Sequence, residues 1–294
     1  MNQFRISLPI EFSFQFCLEF LKRSPKELLH KVEDDCAFKL VQINNRTILF
    51  KMTQATDHEL EIKILNGRIG KQEVAELKNF IIEWFDLDKD LKPFYELAKG
   101  DKLLKPLVEK YYGYRIVGQP DLFESLIWAV LGQQINLQFA YSLKQRFVEK
   151  FGERITFEGN DYFLFPKPEI VATLNDDDLL PLQFSRQKSK YVVLIAHAFC
   201  SGMVSKNLLT GIPLVVAKEK LMEIKGVGNW TANYALMKTF RYSDAFPLED
   251  AGVHNAIKNL KKMKAKPTLD QVERIFRKYK GWEAYATLYL WKSL

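Results

Sequence analysis

The sequence predicts an α+β chain: an N-terminal antiparallel sheet domain with helices over residues 1–90, then an all-α body over 91–294. Three observations carry this. Period-2 apolar alternation is confined to the first hundred residues, and from about Leu87 onward strand signals almost vanish while helical spacing recurs. The chain is also 294 residues long with 47% hydrophobic and 13% aromatic residues, enough to fill the cores of two domains and too much for a disordered protein.

In the first region, Cys36–Ile43, Thr47–Met52 and Glu59–Leu65 alternate, with turns at Asn44-Asn45 and Asn66-Gly67. Phe14–Lys22 and Lys71–Trp84 have helical spacing and are expected to cover the small sheet. Beyond it, helices are expected at 121–131, 137–150, 176–180, 186–201, 213–224, 230–240, 251–260, 269–279 and 283–291. Gly, Pro, Asn or Asp punctuates the turns between them.

Lys and Arg outnumber Asp and Glu by 43 to 36, a net charge of +7 that favours a polyanionic partner without choosing between nucleic acid and an anionic membrane. The basic cluster Lys258–Lys266 reads as a solvated helix end able to touch phosphate. Cys17, Cys36 and Cys200 are sparse and odd in number, which argues against a disulfide scaffold and excludes an iron–sulfur cluster held by four cysteines of this one chain. No signal-peptide core is evident, and the longest apolar runs fall well short of a membrane span. A cytoplasmic protein is expected, nucleoid-associated in a bacterial cell.

The most informative segment is Leu221-Met-Glu-Ile-Lys-Gly226-Val-Gly228-Asn-Trp230-Thr-Ala-Asn-Tyr234. An amphipathic helix runs into Gly-Val-Gly, and a second helix starts at once. Glycines at 226 and 228 permit a tight turn with positive φ and leave backbone N–H groups uncovered by any Cβ. Those amides, Lys225 beside them and the following helix start would suit a phosphate, read without regard to base sequence. A plain interhelical turn gives the same bare G-x-G. Apolar residues at fixed offsets on both sides (Leu221, Ile224, Val227, Trp230, Ala232) instead make a helix–hairpin–helix pattern.

Asp250 lies twenty-two residues after Gly228, where Pro247-Leu-Glu249-Asp250 precedes an apolar-periodic helix. Asp250 reads as its N-cap, a role compatible with a chemical one. Together, hairpin and Pro-x-x-Asp segment resemble the helix–hairpin–helix/Gly-Pro-Asp superfamily of DNA base-excision glycosylases. Phe123–Asn136, with its Leu-Gly-Gln turn, and Leu182–Tyr191 resemble further parts of that family. Gly281–Trp291 resembles the terminal helix of its 3-methyladenine branch.

The resemblance implies a monofunctional glycosylase that extrudes and excises alkylated purines from double-stranded DNA, acting as a monomer and leaving an abasic site. It assigns Asp250 to the sugar cation, with Glu249 a bystander, and Trp230, Tyr234 and Trp282 to the base pocket, although each aromatic could equally be core. Gln134 becomes the residue that fills the vacated stack, where many relatives have a bulky aliphatic. Trp230 stands where bifunctional members carry the Schiff-base lysine. The hairpin implies at most a monovalent cation on the main-chain carbonyls of Met222, Ile224 and Val227, with no other cofactor. His30, His58, His197 and His254 show no metal-ligand spacing. Phe12, Phe14 and Phe16 could add an apolar wall or simply line an amphipathic helix. A glycosylase for another lesion, or a DNA-binding module that has lost catalysis, remains the competing reading.

Overall fold

The computed structural model describes residues 1–294. Strand β1 (Gln3–Ser7) leads to helix α1 (Phe14–Leu21), capped by the Ser13 side chain on the Phe16 N–H. Then come β2 (Lys31–Glu33), β3 (Cys36–Ile43), β4 (Arg46–Thr56), β5 (Glu59–Ile64) and α2 (Lys71–Phe85). The sheet is antiparallel throughout, in the order β1-β5-β4-β3-β2. Its register pairs Val41 with Ile48 and Met52 with Ile62, so the period-2 residues fall on the face that α1 and α2 cover. The short edge strands β1 and β2 were not evident in the sequence.

The second region runs through α3 (Lys92–Lys99), α4 (Lys105–Lys110), α5 (Leu122–Gly132) and α6 (Leu137–Phe151). A hairpin of β6 (Arg154–Phe157) and β7 (Asn160–Phe163) interrupts the helices. It corrects the all-α expectation for this part of the chain. Tyr162 on β7 packs with Leu40 and Leu49 of the first sheet, so the hairpin's burial comes from a distant partner. Then follow α7 (Pro168–Val171), α8 (Asp176–Leu179), α9 (Arg186–Cys200), α10 (Lys206–Leu209), α11 (Leu214–Met222) and α12 (Asn229–Ala235). α12 continues as a π turn over Leu236–Phe240. Helices α13 (Ala251–Leu260), α14 (Leu269–Phe276) and α15 (Glu283–Lys292) close the body.

Two main cores result. One draws on residues 4–87 with Val117, the other on residues from Leu91 to Leu290. Phe14 is a core residue and packs with Phe12 and Phe85, while the partly buried Phe16 packs with Tyr111 and Tyr114. No helix is long and apolar enough to cross a membrane.

Buried polar groups tie the halves together. Arg115 is fully buried and donates to the carbonyls of Glu11, Asp86 and Lys89. Lys144 on α6 meets Glu27 of the first domain at 2.9 Å and Glu124 of α5 at 3.1 Å, all three largely out of solvent. Burial would raise the Glu27 carboxyl, but the adjacent Lys144 ammonium holds it down to about 2. The folded state thus keeps Glu27 ionised to lower pH than the unfolded chain, whose carboxyl titrates near 4.5. The stability this contributes is complete above about pH 4.5 and lost as pH falls toward 2.

Lys144→Met is expected to cost about 3–5 kcal/mol, because it strands two buried carboxylates. Urea unfolding measures this. The same titration between pH 4.5 and 2 should show a shallower acid loss in Glu27→Gln than in the wild type.

Candidate active site

Pro247 stops the preceding segment, and the chain turns into α13 with Asp250 at its N-cap. Asp250 Oδ1 accepts from the Val253 N–H at 2.8 Å, the bond an N-cap carboxylate makes. Two indoles complete its shell. Trp291 Nε1 donates to Oδ1 at 2.7 Å and Trp230 Nε1 donates to Oδ2 at 3.0 Å. The residue is only 9% exposed, yet three N–H donors face it, which is how a buried anion is compensated. His254 lies within hydrogen-bond distance of the Leu248 and Pro267 carbonyls and braces the approach to the cap.

Glu249 is exposed and accepts from Asn229 Nδ2 at 2.8 and 3.1 Å, away from the indoles. Adjacent residues at a helix start point in different directions, and here they separate the two carboxylates.

The Trp230 and Tyr234 rings, one turn apart on α12, stack with centroids 5.2 Å apart and planes 21° apart. Trp291 approaches Tyr234 at 6.4 Å. Behind them Trp128 Nε1 donates to the Tyr234 hydroxyl at 2.9 Å, and Tyr141 packs on Trp128 at 4.7 Å. Burial pushes the Tyr234 phenol up to about 12, so it stays a neutral wall. The Tyr141 hydroxyl accepts from Arg23 Nε, bringing the first domain to the back of this cluster.

Trp282 does not join it. Its half-buried ring packs on Phe94 and Tyr285. Trp282 is the N-cap of α15, outside the helix proper, whereas Trp291 lies in its last turn. Trp291, which meets Asp250 and Tyr234, was not singled out from the sequence, although it stands in the same segment as Trp282.

The hairpin between α11 and α12 holds the other expected residues. Gly226 has φ +102°, and a Cβ there would meet the Tyr191 ring at 2.3 Å. Only glycine fits. Gly228 differs from expectation: its φ is −91° in an extended conformation, with open space where a Cβ would point. It serves as the N-cap of α12, where the fold itself does not demand glycine. The amides of Gly226, Gly228, Asn229 and Trp230 donate to nothing in the protein. Lys225 is exposed beside them.

Of the three candidate cation ligands, the Ile224 carbonyl accepts the Val227 N–H at 3.0 Å, while the Met222 and Val227 carbonyls accept no hydrogen bond. Three main-chain oxygens without a carboxylate suit a monovalent ion.

Gln134 sits in the turn after α5, exposed and held at φ +57°. Sequence reasoning missed its support. Lys188, 9% exposed on α9, donates from Nζ to the carbonyls of Val130 at 2.8 Å, Leu131 at 3.0 Å and Gln133 at 2.7 Å. Burial lowers this amine to about 8, so it is mainly charged at neutral pH. It caps the negative end of α5.

A hairpin with free amides, joined to a helical body that carries a capped carboxylate beside a stacked indole and phenol, defines a helix–hairpin–helix protein. The chain belongs to the HhH-GPD superfamily of base excision DNA repair proteins, whose model matches residues 127–281. A model of the 8-oxoguanine DNA glycosylase N-terminal domain matches residues 22–126. The chain is 41% identical to a DNA-3-methyladenine glycosylase of Bacillus subtilis, over 98% of this chain and 96% of that one. It is 26% identical to DNA-3-methyladenine glycosylase 2 of Escherichia coli, over 61% of this chain and 60% of the other. Among solved structures it shares its fold with a 3-methyladenine DNA-glycosylase from Archaeoglobus fulgidus, at TM-score 0.85 and 23% identity, covering 98% of this chain and 97% of that chain.

Gly226→Ala is expected to destabilise the fold by about 1–3 kcal/mol through collision with Tyr191. Gly228→Ala should stay within about 0.5 kcal/mol of the wild type. Paired denaturant titrations distinguish the two.

Proposed function

We propose that the protein is a monofunctional DNA glycosylase that extrudes alkylated purines of the 3-methyladenine type from double-stranded DNA and hydrolyses their N-glycosidic bond. The observation that carries this is the Asp250 carboxylate, held by the Trp230 and Trp291 N–H groups beside the Trp230–Tyr234 stack. The 41% identity to a Bacillus DNA-3-methyladenine glycosylase over nearly the whole chain supports the same reading.

The chemistry follows from charge. As the base leaves, positive charge grows on the sugar, and a preorganised carboxylate stabilises it while orienting water toward the anomeric carbon. Two indole donors fix both oxygens, so little reorganisation is required when that charge appears. A purine nucleoside alkylated at N3 or N7 of its ring is cationic, and electron-rich indole and phenol faces attract it. A cationic base departs without protonation, so no acid donor is needed. The target must leave the stack first. Gln134, on the exposed turn after α5, fills the vacancy, and the free amides around Gly226 and Gly228 with Lys225 grip the phosphate backbone.

Trp230 occupies the position of the Schiff-base lysine of bifunctional relatives, and its indole is committed to Asp250. The reaction therefore ends at an abasic site with an intact strand. A monovalent cation on the carbonyls of Met222, Ile224 and Val227 would fix the hairpin's shape. The protein acts as a cytoplasmic monomer and needs no other cofactor.

Asp250→Asn is expected to lower base release from methylated duplex at least about 100-fold while leaving duplex affinity within a few-fold. Mass spectrometry of released bases, with an alkali-free strand-nicking assay alongside, measures this. Release undiminished in that variant sinks the assignment. Gly228→Ala should weaken binding to damaged and undamaged duplex alike, and affinity should fall steeply with salt as phosphate contacts release counterions.

A further inference from the structure

The glutamine before the wedge residue makes contacts that neither phosphate binding nor bond cleavage requires. Gln133 Nε2 donates to the Gly226 carbonyl at 3.2 Å and to Thr231 Oγ1 at 3.0 Å. One of these acceptors lies in the hairpin and the other in the first turn of α12. A carbonyl can only accept, so the amide nitrogen must face the hairpin, and both of its protons are used. The main chain of Gln133 is held as well. Its N–H reaches the Val130 carbonyl at 3.2 Å, and its own carbonyl accepts from Lys188 at 2.7 Å. Thr231 is 2% exposed and Lys188 9%, so these bonds form away from bulk water, where an unmade one is costly. The next residue, Gln134, is the exposed one at φ +57°.

We propose that Gln133 is a positioning residue that couples the wedge turn to the phosphate-gripping hairpin, so that seating of the backbone sets Gln134 for insertion. The inference rests on the glycosylase reading above and deepens it, assigning Gln133 to nucleotide extrusion and not to backbone affinity or to chemistry at Asp250. Its side chain joins two loops 93 positions apart in sequence directly. Without the bridge, the hairpin still holds DNA and Asp250 keeps its indole shell, but the wedge turn is anchored from one side only.

The discriminating experiment varies the cost of extrusion. Duplexes carrying one 7-methylguanine are prepared opposite cytosine and opposite an abasic analogue, since an unpaired base leaves the stack more easily. Gln133→Ala should lower single-turnover release at least about 10-fold opposite cytosine and less than about threefold opposite the abasic analogue. Its affinity for undamaged duplex, read by fluorescence anisotropy, should stay within about threefold of wild type. Thr231→Val removes one of the two acceptors and should show the same selective loss at smaller size, which keeps the idea testable if thermal melting shows Gln133→Ala unfolded. Equal losses on both duplexes, no loss on either, or a matching loss of undamaged-duplex affinity overturns the coupling while the glycosylase reading stands. A wild-type chain that releases no base from either duplex overturns both.

Discussion

A buried carboxylate needs donors, and the geometry of this protein's functional half follows from supplying them to Asp250. The first donor is local: α13 begins at this residue, and its Val253 amide points at Oδ1. The other two come from the ends of separate helices, Trp230 at the start of α12 and Trp291 at the end of α15. Removing a charge from water is expensive unless each lone pair finds a partner. One side chain thus ties three helices to a common point, on top of the core they share. The same indoles carry the aromatic faces, so the groups that compensate the anion also build the surface on which a flat cationic base can lie.

Behind that surface, support passes to the first domain. Trp230 stacks on Tyr234, Tyr234 accepts from Trp128, Trp128 packs on Tyr141, and Tyr141 accepts from Arg23. Close by, Lys144 bridges Glu27 of the first domain and Glu124 of α5. The sheet domain therefore buttresses the aromatic cluster beside Asp250 through a continuous series of contacts. Its own core stays separate, with only Val117 drawn from the later part of the chain. The β6–β7 hairpin returns the favour by packing Tyr162 against β3 and β4.

Much of this was legible in the linear order. Strands β3, β4 and β5 alternate with period 2, and the longer helices carry clear apolar faces, so their limits fell within a few residues of expectation. Gly226 and Asp250 could also be read, because a tight turn and an N-cap are local needs. Elements whose burial comes from distant partners were harder. Strands β1 and β2 and the β6–β7 hairpin are too short to show a period and acquire their apolar partners only on folding.

By itself, the sequence determined whatever depends on neighbours a few residues away: the helix–hairpin–helix pattern, the capped carboxylate, and the one-turn spacing that stacks Trp230 on Tyr234. Only the tertiary structure decided which distant groups complete the site. It brought Trp291, from the far end of α15, onto Asp250. It left Gly228 in an unstrained extended conformation open to solvent, and it joined Gln133 to the hairpin. Spacing along the chain sets direction within a helix, whereas contact between helices depends on how they pack, and no local pattern contains that information.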